Sequence, residues 1–167
     1  MAYNMINARV ESLLEKKTFS RLVEKKRCLV PMDGFYEWKK EGKAKSPYRI
    51  VTKDQEIFTT AGLWETWKNP KGEEVHTFTI ITLAANEFMQ QIHDRMPAIL
   101  TKDNEQLWLD EDLGLNSLMD LLLPYPDENM AMYRVTDKVG NVRENNADLI
   151  KSITANPTLQ QGKLFDD

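Results

Sequence analysis

The stretch Val75-His76-Thr77-Phe78-Thr79-Ile80-Ile81-Thr82 decides the fold: its β-branched and aromatic residues suit a pleated, half-buried strand and leave no helical stripe. Ile57-Phe58-Thr59-Thr60-Ala61 upstream has the same character, and Asn69-Pro70-Lys71-Gly72 between them has turn chemistry. Further out, Pro31-Met32-Asp33-Gly34 turns the chain into a strand from Phe35 to Lys40, and Gly42 closes a hairpin into Tyr48-Arg49-Ile50-Val51. Cys28-Leu29-Val30 reads as a short buried strand, and Ala131 to Val135 as a last one. These segments predict a strongly twisted, mostly antiparallel sheet.

Helical patterning lies around that sheet. Residues 10–24 place Leu13, Leu14, Phe19, Leu22 and Val23 on one apolar face, with a possible break near Thr18. Asn86 is a natural N-cap for a short helix through Gln91, which leaves His93 in the loop beyond, and Pro97 ends any continuation. Thr101 opens a helix carrying Leu107 and Trp108, and Leu115 to Leu123 makes another before Pro124. The class is therefore α+β. A chain of 167 residues suits one domain, expected over residues 1–155, with residues 156–167 as a polar tail.

Composition narrows the function classes. No run nears the roughly 20 apolar residues of a membrane span, and the first residues lack a signal-peptide pattern, so no membrane partner and a cytoplasmic location are expected. The lone Cys28 rules out an internal disulfide, and one cysteine with two histidines, His76 and His93, fits no common metal-ligand spacing. No metal and no cofactor are expected. Net charge is −4, yet residues 1–53 hold 13 Lys and Arg against 6 Asp and Glu, whereas residues 54–167 hold 9 against 20. Local positive potential is what phosphate binding requires, so a basic groove on an acidic chain is open. Lys39, Lys40, Lys43 and Lys45 read equally well as a solvated hairpin.

Three polar segments collect chemistry where the patterning predicts strand ends and turns: Asn7-Ala8-Arg9-Val10-Glu11, Gly34-Phe35-Tyr36-Glu37-Trp38 and His93-Asp94-Arg95-Met96-Pro97. Glu37 sits among aromatic residues, where partial burial would raise its pKa, or it is a solvent-facing residue of an alternating strand. His93 has the side chain suited to proton transfer near neutrality. Asn7 can hold a substrate oxygen through its amide and Arg9 a phosphate through paired donors, or both brace a turn. Trp38 offers a stacking face for a base, or packs in the core. Arg95 can neutralise a second phosphate. Cys28 lies inside Arg27-Cys28-Leu29-Val30-Pro31 and reads as a buried structural thiol.

In order and content these three segments, with Arg27-Cys28-Leu29-Val30-Pro31, resemble the signature motifs of the SOS response-associated peptidase (SRAP) family, and Val139-Gly140-Asn141-Val142-Arg143 weakly resembles a later one. The resemblance implies a barrel-like curved sheet with flanking helices, a role in the SOS and DNA-damage response, and a family-associated peptidase activity. It implies abasic sites in single-stranded DNA as the partner, captured covalently when an N-terminal cysteine presents its α-amine and thiol to the lesion aldehyde. Glu37, His93 and Asn7 then carry the chemistry, while Arg9, Trp38, Arg95, Met96 and Pro97 contact DNA. Members open with a cysteine several dozen residues upstream of the Asn-Ala-Arg motif. Here Met1-Ala2 lies close to that motif, so the expectation is a member lacking that segment and its nucleophile; the alternative is a catalytically inactive DNA-binding or protein-interaction module.

Overall fold

The computed structural model describes residues 6–154, and the expected tail at 156–167 lies outside the described residues. Two compact units are interleaved along the sequence, the first from residues up to 31, 59–84 and 95–125, the second from 32–58, 85–94 and the residues from 126 on.

The first unit holds β1 (Asn7–Arg9), α1 (Lys17–Lys25), β2 (Arg27–Met32) up to Pro31, β5 (Phe58–Lys68) from Thr59 on, β6 (Glu74–Ala84), β7 (Arg95–Pro97), β8 (Ile99–Leu100), α3 (Lys102–Leu109) and α4 (Leu115–Asp120). Its sheet runs β1-β6-β5-β2, with β7 on β6 and β8 on β5. The decisive stretch lies within β6, where period-2 alternation buries Thr79, Ile81 and Leu83. The buried Thr79 hydroxyl is satisfied by donating to the Ile6 carbonyl at 2.9 Å. Asn69 organises the β5–β6 turn, its side-chain oxygen accepting from the Lys71 and Glu73 amides. Beyond Gly62 and Ile80 the two strands part, and residues 95–100 fill the gap: Met96 pairs with Leu83, Ile99 with Thr60. Pro97 thus sits in a strand and stops no helix.

Helices close this unit through specific contacts. The helical pattern at 10–24 splits into a 3-10 turn (Val10–Ser12) and α1, so the break falls before Thr18, while Leu13, Phe19, Leu22 and Val23 are buried as expected. Arg27 ties the ends of α1 and α3 together, its guanidinium donating to the carbonyls of Val23, Glu24, Trp108 and Asp110. Trp108 is fully buried and its indole N–H donates to the Cys28 carbonyl at 3.1 Å. Leu107, on the other side of α3, stays exposed. Burying a side chain such as Leu13, Leu63, Ile81 or Leu100 contributes about 1.5–3 kcal/mol each. Cys28 is only half-buried, a correction to the buried strand expected there: β2 leaves most of its residues partly accessible.

The second unit holds β3 (Phe35–Glu41), β4 (Ala44–Thr52), α2 (Glu87–Gln90) and β9 (Met130–Arg134), with a sheet in the order β3-β4-β9. Ile50, Phe58, Met89, Met130, Ala131 and Val135 form its core. Gly42 takes φ 64°, the left-handed conformation that a two-residue hairpin loop needs, and so fixes Glu41 opposite Ala44. The α+β class holds. Every pairing with a defined register is antiparallel except β1 on β6, which is parallel.

Candidate active site

In the second unit, the β3–β4 hairpin and the loop after α2 border a pocket of about 590 Å³ lined by Glu37, Trp38, Lys40, Lys45, Ile92, His93 and Asp94. Glu37 is placed by the start of its strand. Arg49, almost buried, donates to the Asp33 carbonyl at 2.9 Å and pairs with the Asp33 carboxylate at 2.9 Å. A Cβ at Gly34 would lie 2.9 Å from both Arg49 Nε and the Ile50 carbonyl oxygen, so the turn admits only glycine without displacement. That turn fixes the register: Phe35 opposite Ile50, hence Glu37 opposite Tyr48 and Trp38 opposite Pro47.

His93 is placed by the short helix before it. Asn86 caps α2 by accepting from the Met89 amide at 2.9 Å, the Met89 carbonyl accepts from the His93 amide at 2.9 Å, and Ala85 N–H to Asp94 carbonyl closes the loop at 3.0 Å. The His93 ring lies 3.2 Å from the Asp94 carboxylate through Nδ1. Sequence adjacency therefore joins Asp94 to His93.

Burial pushes the Glu37 carboxyl above the ordinary carboxylate range; the facing His93 and the Trp38 N–H pull it partly back, and Asp94 pushes it further up. An acid so tuned, facing an imidazole across a pocket, can give and take a proton around one reacting atom. Among the described residues no group of three or more metal-ligating side chains converges.

The remaining expected residues are in the first unit, around β6. Asn7 and Arg9 point outward from β1 on either side of the buried Ala8, with Arg9 in register with Thr82. Pro97 pairs with Thr82 from the other strand, and Arg95 donates to the Thr82 carbonyl at 2.7 Å. Arg95 is also engaged by Glu11, so a phosphate would have to compete for it. Met96 is 1 % exposed: alternation along β7 sends it into the core, where it packs the strand and offers DNA no surface, a correction to its expected contact role. Lys40 and Lys45, open from sequence between a basic groove and a solvated hairpin, line the pocket. Their signal was present, because a two-residue loop at Gly42-Lys43 sets Lys40 opposite Lys45.

The family described as SOS response associated peptidase (SRAP) matches residues 1–142. The abasic site processing protein YoqW of Bacillus subtilis (strain 168) is 45 % identical over 154 residues, covering 91 % of this chain and 69 % of that protein. The abasic site processing protein YedK of Escherichia coli (strain K12) is 30 % identical over 151 residues, with coverages of 89 % and 68 %. In structure, a crystallised protein from Bacteroides thetaiotaomicron superposes with a TM-score of 0.83 at 36 % identity, covering 89 % of this chain and 66 % of that one. This chain accordingly spans about two thirds of the length of each of these three relatives. With its ordered motifs, its Glu37 and His93 on one pocket and a family match across most of its length, the chain belongs to the SOS response-associated peptidase family.

Proposed function

We propose that this protein recognises abasic sites in single-stranded DNA and handles their ring-opened aldehyde in the Glu37–His93 pocket. The observation that carries the reading is one acid of raised pKa sharing a pocket with one histidine. An amine adding to the aldehyde gives a carbinolamine, and loss of water to the imine requires a proton delivered to the departing hydroxyl. Glu37 in its protonated form supplies that proton, and His93 relays protons to and from the amine. Proton transfer of this kind typically accounts for about 10²–10⁴-fold in rate.

Closing the imine to a stable ring takes a thiol beside the amine, which only an N-terminal cysteine provides. The one cysteine of this sequence, Cys28, is inside β2, so its nitrogen is an amide and it cannot form such a ring. Capture therefore calls for an N-terminal cysteine delivered to the pocket. Arg9, exposed on β1, serves as a phosphate contact, Asn7 beside it as an amide for a substrate oxygen, and Trp38, 38 % exposed, as a stacking face. The names of the relatives support the lesion as the substrate class.

The test is binding of the chain to single-stranded oligonucleotides with and without an abasic site. Tighter binding to the abasic strand, reduced by Arg9→Ala, is the expected result. Equal affinity for both strands would remove the lesion from the reading.

A further inference from the structure

Lys40 and Lys45 are direct cross-strand partners on the β3–β4 hairpin, and both line the pocket. Like charges opposite one another in an antiparallel pair are destabilising, because the side chains leave a shared face only about 5 Å apart. Neither lysine makes an ion pair among the described residues. The one acid at the hairpin tip, Glu41, accepts from the Ser46 hydroxyl at 2.6 Å and belongs with Ala44 to the opposite face. Lys39, also on that opposite face, lies 6.0 Å from the Tyr48 ring.

The lysine pair shares its face with Trp38, whose partner is Pro47. Two residues along a strand span about 6.6 Å. That separation suits a nucleotide whose base stacks on the indole while its phosphate reaches the ammonium groups. Two carboxylates also line the pocket, Glu37 and Asp94. Glu37, opposite Tyr48, lies with Glu41 on the hairpin's other face, and Asp94 is held at the His93 ring through Nδ1, so no carboxylate of the hairpin shares the face that carries the lysines and Trp38.

We propose that Lys40 and Lys45 form a phosphate clamp that, with Trp38 as the stacking face, holds one nucleotide of a single strand beside the Glu37–His93 pocket. The inference rests on reading that pocket as a nucleic-acid site. It adds the binding group that fixes which part of the strand enters.

The full chain is titrated by fluorescence anisotropy, over a range of salt, with a single-stranded oligonucleotide carrying a tetrahydrofuran abasic analogue. The analogue has no aldehyde, so only non-covalent binding is read. Lys40→Gln/Lys45→Gln should weaken binding and make the slope of log affinity against log salt shallower by about 1.4, the release expected for about two phosphates of a single strand. The charge-matched control Lys68→Gln/Lys71→Gln, at the β5–β6 turn, should leave the slope near that of the wild type. Thermal melting of the Lys40/Lys45 variant should match or exceed the wild type, since a repulsive pair is removed. If the double variant proves unstable, Lys45→Gln alone should lower the slope by about 0.7. An unchanged slope, or an equal loss in the control, would overturn the clamp while leaving the DNA reading intact. No binding by the wild type to either the abasic analogue or an intact strand would overturn the DNA reading and the clamp together.

Discussion

Arg95 grips both carboxylate oxygens of Glu11, Nη1 to Oε1 at 2.5 Å and Nη2 to Oε2 at 2.9 Å, across 84 positions of sequence. The pair joins the third polar motif to the first, pinning β7 to the 3-10 turn that follows β1. Its hydrogen bonds from Arg95 hold the Glu11 carboxyl below its ordinary range. A depressed acid contributes stability above its unfolded pKa and loses it as pH falls through the folded one. Because Glu11 is half-exposed, Glu11→Gln should cost only about 0.5–1 kcal/mol at pH 7, and the cost should vanish in denaturant titrations well below pH 4.5.

Glu37 has the opposite sign. Burial raises its folded pKa, so the folded chain binds the proton more tightly than the unfolded one and stability falls as pH rises from the unfolded value through the folded value. Glu37→Gln should therefore stabilise the chain near neutral pH and change little at pH 4, as read by thermal melting at the two pH values. A loss of stability at neutral pH would contradict its assignment as a site acid whose pKa burial raises.

Two glycines separate packing from backbone geometry. A Cβ at Gly62 would lie 2.8 Å from Val30 Cγ2, 3.0 Å from Cys28 Sγ and 3.3 Å from the Thr79 carbonyl oxygen, so Gly62→Ala should destabilise by about 1–3 kcal/mol through overpacking. At Gly42 nothing lies within 4 Å, but φ is 64°, so Gly42→Ala should cost about 1 kcal/mol for conformational reasons alone. Adding Cys28→Ala to Gly62→Ala relieves one of the contacts. The double variant should recover part of the loss in denaturant titrations, while Cys28→Ala has no counterpart effect on Gly42→Ala.

Cys28→Ser tests the thiol as structure rather than site. Burial pushes the Cys28 thiol up, away from the thiolate a nucleophile needs. The substitution should cost about 1 kcal/mol, since the residue is only half-buried, and leave affinity for single-stranded DNA unchanged. A stable variant that no longer binds would move Cys28 into the site.

Most strands were legible because local signals agreed: β-branched runs in β5 and β6, Asn69 and Gly72 between them, Gly42 in the hairpin, Asn86 and Thr101 as caps. Residues 95–100 were not, because β7 and β8 exist only where β5 and β6 part, which three or two residues of local sequence cannot announce. The burial of Met96 and the pairing of Arg95 with Glu11 follow from that same insertion and were hidden with it. Motif alone singled out Glu37 and His93 as candidates. Their presence in one pocket follows from the Asp33–Gly34 turn and the α2 cap, each of which has a sequence signal, but the approach of the two segments has none.

If Glu37 and His93 move protons at an abasic-site aldehyde, the kinetics of crosslinking must depend on both side chains. The chain is fused downstream of a cysteine-initiated N-terminal segment from a relative and mixed with single-stranded DNA bearing one abasic site, and the heat-stable adduct is followed on denaturing gels without borohydride. The expected adduct forms about 10²-fold or more slowly with Glu37→Gln, and its formation or reversal is impaired by His93→Ala. Crosslinking that proceeds at the unsubstituted rate in both variants would contradict that role.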